Sequence, residues 1–494
     1  MTSDQTEQPE QFSIFDPSRW GLPMEGVDDI AERLRNTWER YRHCFRTKTR
    51  DTSEYGWIYL RGALTMDTDR NFANISRRVI DIEDDGQNLQ HFMSDSPWAG
   101  EAVFSQIQSE IRQREELSDG ILVFDECGDE RAGDDSAGAG RQYLGRYGKV
   151  DMGQVAVALG YYQANQWIMV DAELYLPKHW FDEEHKKLRR RWHIPEDRTF
   201  KNKPDIALEL ILRAQEQQLP FEVVTADSLY GRDSLFRTAL NTNQITYVLD
   251  VPVDTHVYLN EPTVGVPETP PNKKGRPFSK PQRLSDEKPV EVRTLLNHSD
   301  FSLQPVELRH TERGLLSYDC AARQVWTIDE ENKVRKEWLL IWKEECGKIH
   351  YSLSNAPHDT PLAQLARWRC FRYFAERTFQ DARSEAGWDE LVARKYRAWM
   401  HHTALDALAL WFVAETKLDW AKLYPRDPEL VSELELAVLP ALSMANIREL
   451  LKAVLPLKQL SPESARRLVI KHLVNRSKST RSRLNSQQRS TAPT

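Results

Sequence analysis

Paired cysteines are missing from this chain. Its five cysteines, Cys44, Cys127, Cys320, Cys346 and Cys370, are odd in number, scattered, and never in a CxxC spacing. That pattern argues against a zinc site and against a disulfide framework, and it fits a reducing compartment. Long apolar runs are missing too: nothing approaches the roughly 20 residues needed to span a bilayer. Residues 1–11 are polar and acidic, unlike the apolar centre of a secretory signal. An overall excess of positive charge is also absent, the net charge being −8. Contact with nucleic acid would therefore have to rest on local cationic surface.

Such local surface is present. Lys186-Lys187-Leu188-Arg189-Arg190-Arg191 is one basic cluster, and Lys273-Lys274-Gly275-Arg276 with Lys280 and Arg283 is another. The carboxyl end carries Arg466, Arg467, Lys471, Arg476, Lys478, Arg481, Arg483 and Arg489, with no acid after Glu463. Each run taken alone is equally a solvated face or a loose tail.

A chain of 494 residues exceeds one compact core, and two to four domains are expected. Residues 1–115 are expected to be a helical amino-terminal region, either a DNA-binding module or a helical cap. Its spacing suggests helices near residues 27–34 and 74–82 and one through Val103, Ile107 and Ile111, with Pro97 suited to a first helical position. Residues 116–240 turn to strands: a hairpin from 151–161 and 167–176, a helix from 204 to 217, then another strand. Strands followed by a helix and a strand predict an α/β fold, an RNase H-like mixed sheet flanked by helices. Residues 241–360 are expected to interrupt that sheet as a β-rich insertion, with strand-like pieces at 245–251, 290–295, 326–329 and 338–342 and a loop over 262–281. The core is expected to resume over 361–415, and 416–494 to form a helical carboxyl-terminal region whose basic end, from Asn475, is disordered in isolation.

Two apolar runs each end on an aspartate. Ile121-Leu122-Val123-Phe124 precedes Asp125, and Val223-Val224-Thr225-Ala226 precedes Asp227. Short apolar runs bounded by polar residues read as buried strands, so each carboxylate is expected where a strand ends and the sheet opens to solvent. Farther on, Arg372, Glu376 and Arg383 are expected on one continuous helix, spaced to project from nearly one face. Three carboxylates can hold a pair of divalent cations for in-line attack on a phosphodiester, and arginine forks suit phosphate. Each part has a plainer reading: an acidic loop after Asp125, a turn begun by Asp227, a surface ion-pair ladder around Glu376. His401-His402 lack a third ligand and suit packing. Cys127 has no local histidine to activate it, and Ser228 lacks a GxSxG elbow.

At these residues the chain resembles the DDE transposases of bacterial insertion sequences, in the branch with a β-rich insertion before the glutamate. The resemblance spans roughly residues 30–475. It is carried by 88–98 (NLQHFMSDSPW), Arg141-Gln142-Tyr143, 148–151 (GKVD), 174–177 (LYLP), 192–195 (WHIP), Lys203-Pro204, 351–356 (YSLSNA) and the Glu376 helix. It implies that Asp125, Asp227 and Glu376 form a catalytic, metal-binding triad using two Mg2+ ions, with Mn2+ able to substitute. It also implies double-stranded DNA as partner, both element terminal repeats and target, a homodimer in the end complex, no membrane, and a bacterial cytoplasm with the nucleoid as location. The branch signature runs tyrosine, arginine, glutamate, lysine. Arg372 and Glu376 match it, Arg383 takes the lysine position, and Arg369 stands where tyrosine is expected. Glu126 and Cys127 replace the aspartate and threonine expected after the first catalytic aspartate. Arg369, Arg372, Tyr373 and Arg383 are the expected phosphate and DNA contacts. Alternatives of a different class are a transposase-derived DNA-binding protein that does not cut and a structure-selective nuclease.

Overall fold

The computed structural model describes residues 13–268, 278–312, 314–459 and 461–490. The basic run Lys273-Lys274-Gly275-Arg276 and the side chains of Arg483 and Arg489 lie outside the described residues. Five helices come first: α1 (Met24–Tyr41), α2 (Ser53–Thr65), α3 (Phe72–Val79), α4 (Gln87–Ser94) and α5 (Gly100–Arg112). Pro97 does not open a helix; α5 begins at Gly100, with Ala99 before it.

Then come β1 (Gly120–Glu130), β2 (Gly140–Leu144), β3 (Lys149–Gln163) and β4 (Gln166–Tyr175). The surface helix α6 (Lys186–Arg191) leads to α7 (Lys203–Glu216). Asn202 and Asp205 close a reciprocal capping box at the start of α7, with Pro204 in its first turn, which satisfies amide donors the helix leaves unpaired. Next are β5 (Phe221–Ala226), α8 (Ser228–Gly231), α9 (Ser234–Thr242) and β6 (Tyr247–Val251).

In the sheet, β4 lies on β3, β3 is antiparallel to β1, and β1, β5 and β6 run parallel in that order. This is the expected RNase H-like mixed sheet. Four two-residue strands follow, β7 (His256–Val257), β8 (Val264–Gly265), β9 (Gln282–Arg283) and β10 (Val290–Glu291). The larger strands β11 (Gln304–Thr311), β12 (Gly314–Ile328), β13 (Val334–Lys343) and β14 (Ile349–Ser354) form an antiparallel meander. Its last strand pairs with β6 through Tyr351↔Val251 and Ser352↔Asp250. The meander and the core therefore share one ten-stranded sheet. A second small core, including Val257, Val292, Leu295, Phe301 and Leu339, seals one side of the meander.

After β14 come α10 (Leu362–Cys370) and α11 (Tyr373–Asp381), separated by a two-residue turn, then a π-helical turn over Ala382–Ala386. Arg372 caps α11 in helical conformation and Arg383 lies in the π turn that continues it, so the run carrying Arg372, Glu376 and Arg383 is helical but changes from α to π winding. Around the turn before α11, Phe371 and Phe374 both stack on Tyr162, at 4.6 and 4.0 Å between ring centroids.

The 28-residue α12 (Tyr396–Leu423) is buried on nearly every side, as expected of a helix apolar all round. It packs on β4, α5, α2 and α4, joining the amino-terminal helices to the sheet. Polar locks hold this layer: Glu415 takes Arg40 at 2.7 Å and Arg114 at 3.0 Å. His401 and His402, on α12, are buried packing residues. The His401 ring nitrogens face the Met93 and Trp98 carbonyls, and those of His402 face the Tyr59 hydroxyl and the Trp388 carbonyl. The chain continues through α13 (Glu429–Glu433) and α14 (Met444–Val454) to α15 (Pro462–Ser490). The segment from Asn475 to Ser490, expected to be disordered, is helical; it contains no proline or glycine to stop a helix. Among the described residues, no helix is long and apolar enough to cross a membrane.

Candidate active site

The site follows from where three parallel strands stop. In the ladders, Val123 pairs with Thr225 and Thr225 with Val248. Two residues farther along each strand stand Asp125, Asp227 and Asp250, so three aspartates share one level at the carboxyl end of the sheet. Ligands in open α/β sheets bind in this position. Here β5 ends at Ala226 because Asp227 turns the chain: its Oδ1 accepts the Leu229 amide at 2.9 Å and caps α8.

β1 does not end at Asp125. It runs to Glu130, held by β3 on its other side through Asp125↔Ala158 and Glu126↔Val157. The plainer reading of an acidic loop after Asp125 therefore gives way to a strand with one edge open beyond Val123. Among the described residues, one carboxylate oxygen each from Asp125, Glu126 and Asp227 lie within 4.8 Å of one another. Burial pushes the Asp125 carboxyl well above the usual carboxylate range, and the charges of Asp227 and Glu126 push it further. Burial also raises Asp227, with Glu126 adding to it. An all-oxygen donor set under mutual repulsion suits a hard divalent cation.

Glu376 stands apart from this group. It is 61% exposed on α11, with its Oε1 at 3.6 Å from Nη2 of Arg372, and it lines the same cavity of about 860 Å3. Arg372 lies between the acids, with Nη1 3.8 Å from Asp125 and Nε 3.5 Å from Asp250. Arg383 reaches the cavity from the π turn and donates to Cys127 Sγ at 2.9 Å. Burial lifts the Cys127 thiol to about 12, so it is no ready nucleophile.

Two expected phosphate contacts are placed elsewhere. Arg369 is 5% exposed. It grips Asp250 with Nε at 2.9 Å and Nη2 at 2.6 Å, and its guanidinium stacks 3.5 Å from the Trp342 ring. Those contacts bury the group away from any ligand. Tyr373 is half-exposed and packs against Phe374, outside the cavity lining.

The cavity also holds basic residues to which the sequence assigned no role at the site. Lys203, at the start of α7, donates to Glu126 at 2.7 Å, and Arg146 and Lys348 join the lining. Asp250 was legible in principle, because Tyr247-Val248-Leu249 before it repeats the apolar-run-then-aspartate form. The basic run on α6, with Arg190 and Arg191 exposed, is outside the cavity.

The sequence model of the DDE superfamily endonucleases matches residues 40–315, more than half of the chain. The chain belongs to this family. The match includes Asp125 and Asp227 and stops before the helix of Glu376. The chain is also 30% identical, over 194 residues, to the "Probable transposase for insertion sequence element IS701" of Microchaete diplosiphon. That alignment covers 39% of the present chain and 47% of the relative, so the chain matches about half the length of that curated protein.

Proposed function

We propose that this endonuclease is an insertion-sequence transposase that cuts element ends and joins the freed 3′-hydroxyl to target DNA. The reading rests on one observation above all: three carboxylates brought within 4.8 Å in a cavity whose lining also carries Arg146, Lys203, Lys348, Arg372 and Arg383. Such a lining offers oxygen ligands to cations and guanidinium and ammonium groups to phosphates. The domain roles are proposed with it: residues 116–240 and 361–415 as catalytic core, 241–360 as the insertion, and 1–115 and 416–494 as DNA-contacting regions.

Asp125 and Asp227 would hold the cation, with Glu126 as the near third ligand and Glu376 across Arg372. Mg2+ is the proposed ion, present as a pair, with Mn2+ able to substitute. Divalent cations at such a site lower the pKa of an attacking water or hydroxyl and offset charge on the leaving oxygen. The chain's own residues do the rest. Lys203 restrains Glu126, and Arg372 and Arg383 orient a phosphate for in-line attack.

DNA bearing the flanking ends, incubated with Mg2+, tests the reading. The parent protein is expected to cut, and Glu376→Gln to lose on the order of a hundredfold in cleavage, the scale of one transition-state contact, while still binding ends. Undiminished cutting by the variant would remove Glu376 from the chemistry. Precut ends that fail to join target would leave a nuclease without strand transfer.

The raised carboxylates give a pH signature. A carboxyl whose folded pKa exceeds its unfolded value contributes stability at low pH that is lost as pH rises through the folded value. Ionised Asp125 and Asp227 therefore strain the cation-free protein near neutrality, and a divalent cation relieves that strain. At about 100 times its Kd a cation adds about 2.7 kcal/mol. Melting curves with and without Mn2+ are expected to separate widely near pH 8 and to converge near pH 5, where protons compete for the same oxygens. Equal separation at both would show that the cation binds elsewhere.

A further inference from the structure

Asp250 has more partners than a single salt bridge requires. It is 8% exposed at the end of β6. Its Oδ1 accepts from Ser352 Oγ at 2.7 Å and from Arg369 Nε at 2.9 Å, and its Oδ2 accepts from Arg369 Nη2 at 2.6 Å. Arg369 alone would balance its charge. Yet Oδ2 also faces Arg372 Nε at 3.5 Å.

Arg372 for its part is suspended. Its distances to Asp125, Asp250 and Glu376 are 3.8, 3.5 and 3.6 Å, and none is a close contact. Its Nε is buried without a hydrogen-bond partner. A guanidinium that faces a different acid at each of its three nitrogens takes its position from the balance of their pulls. Were Asp250 neutral, the pull of Asp125 and Glu376 would stand unopposed, and the fork would close on Asp125. That carboxylate would then be spent on Arg372.

We propose that Asp250 is a positioning residue of this site, which shares Oδ2 between Arg369 and Arg372 and so keeps Arg372 off Asp125, leaving the carboxylates open to a divalent cation. The inference rests on the cation-binding reading above and assigns Asp250 a part in it that is separate from coordination.

The test is a cation titration followed by melting temperature, which needs neither DNA nor turnover. Asp250→Asn alone strands Arg369 as a buried cation and risks the fold. The pair Asp250→Asn with Arg369→Met removes both partners together and is expected to melt near the parent in the absence of cation. In that double variant the Mn2+ midpoint is expected to rise about tenfold, the scale of coupling within one ion-pair network. Adding Arg372→Gln is expected to bring the midpoint back to the parent value, because the competing guanidinium is gone. A double variant that titrates like the parent overturns the positioning role, as does a triple variant that stays weak. A parent protein with no cation response overturns the cation-binding reading itself, whereas a responsive parent with an unshifted double variant overturns the positioning role alone.

Discussion

Asp227→Asn is expected to reduce cleavage of end-bearing DNA on the order of a thousandfold, the upper scale for loss of one group that stabilises developing charge. The substitution isolates charge from structure. Asp227 caps α8 through the Leu229 amide, and asparagine caps about as well as aspartate. What disappears is one of the three carboxylates within 4.8 Å, along with its repulsion of Asp125. The cation-free variant is thus expected to melt no lower than the parent near neutral pH, and to bind DNA at least as tightly, since a negative charge beside the phosphates is gone. Single-turnover cleavage, gel-shift and melting measurements on the same preparation check all three. Cleavage within about tenfold of the parent, with binding intact, would place the chemistry outside this cluster.

Arg369→Met is expected to cost about 3–5 kcal/mol of stability, the range for breaking one side of a buried ion pair. Three observations carry that size. The guanidinium is bidentate on Asp250, it lies over Trp342, and it is almost wholly buried. Its loss leaves Asp250 with Ser352 and the looser Arg372. Urea denaturation reads the change in midpoint at constant slope. A loss below about 1 kcal/mol would mean that the pair is effectively solvated, and would restore Arg369 as a candidate for ligand contact.

Asp125 and Asp227 were legible because each closes a run of apolar residues that only a buried strand explains. Asp250 closes a similar run but was read as strand and nothing more. Its partner on one side, β14, is contributed by residues a hundred positions later, a pairing no local pattern announces. The near approach of Glu126 was hidden because neighbouring residues on a strand normally face opposite sides; only the open edge left by β5 lets its carboxylate meet the others. Spacing alone put Arg372, Glu376 and Arg383 on one helix face. The change from α to π winding at Ala382 shifts where Arg383 projects, and nothing in the local spacing marks it. β11 escaped notice for a different reason. As the edge strand of the sheet, with Pro305 in it, it buries few side chains, so its period-two signal is weak. Apolar spacing marked α1, α3 and α5 among the first 115 residues, whereas α2 is buried on nearly all sides and so shows no one-sided pattern, and α4 is only eight residues long.

The seam between β14 and β6 has an architectural consequence. Residues 252–348 leave the core at one strand and come back as that strand's own neighbour, flanking Asp250 with Tyr351 and Ser352. Its outer strands are tied in as well: Val306 and Leu308 of β11 and Cys320 of β12 belong to the main hydrophobic core, and Arg309 lies over the Phe374 ring. Excising the returning strand would bare the edge of β6 beside Asp250. The excursion is therefore anchored twice, by its last strand in the ladder and by its outermost strand against the helices.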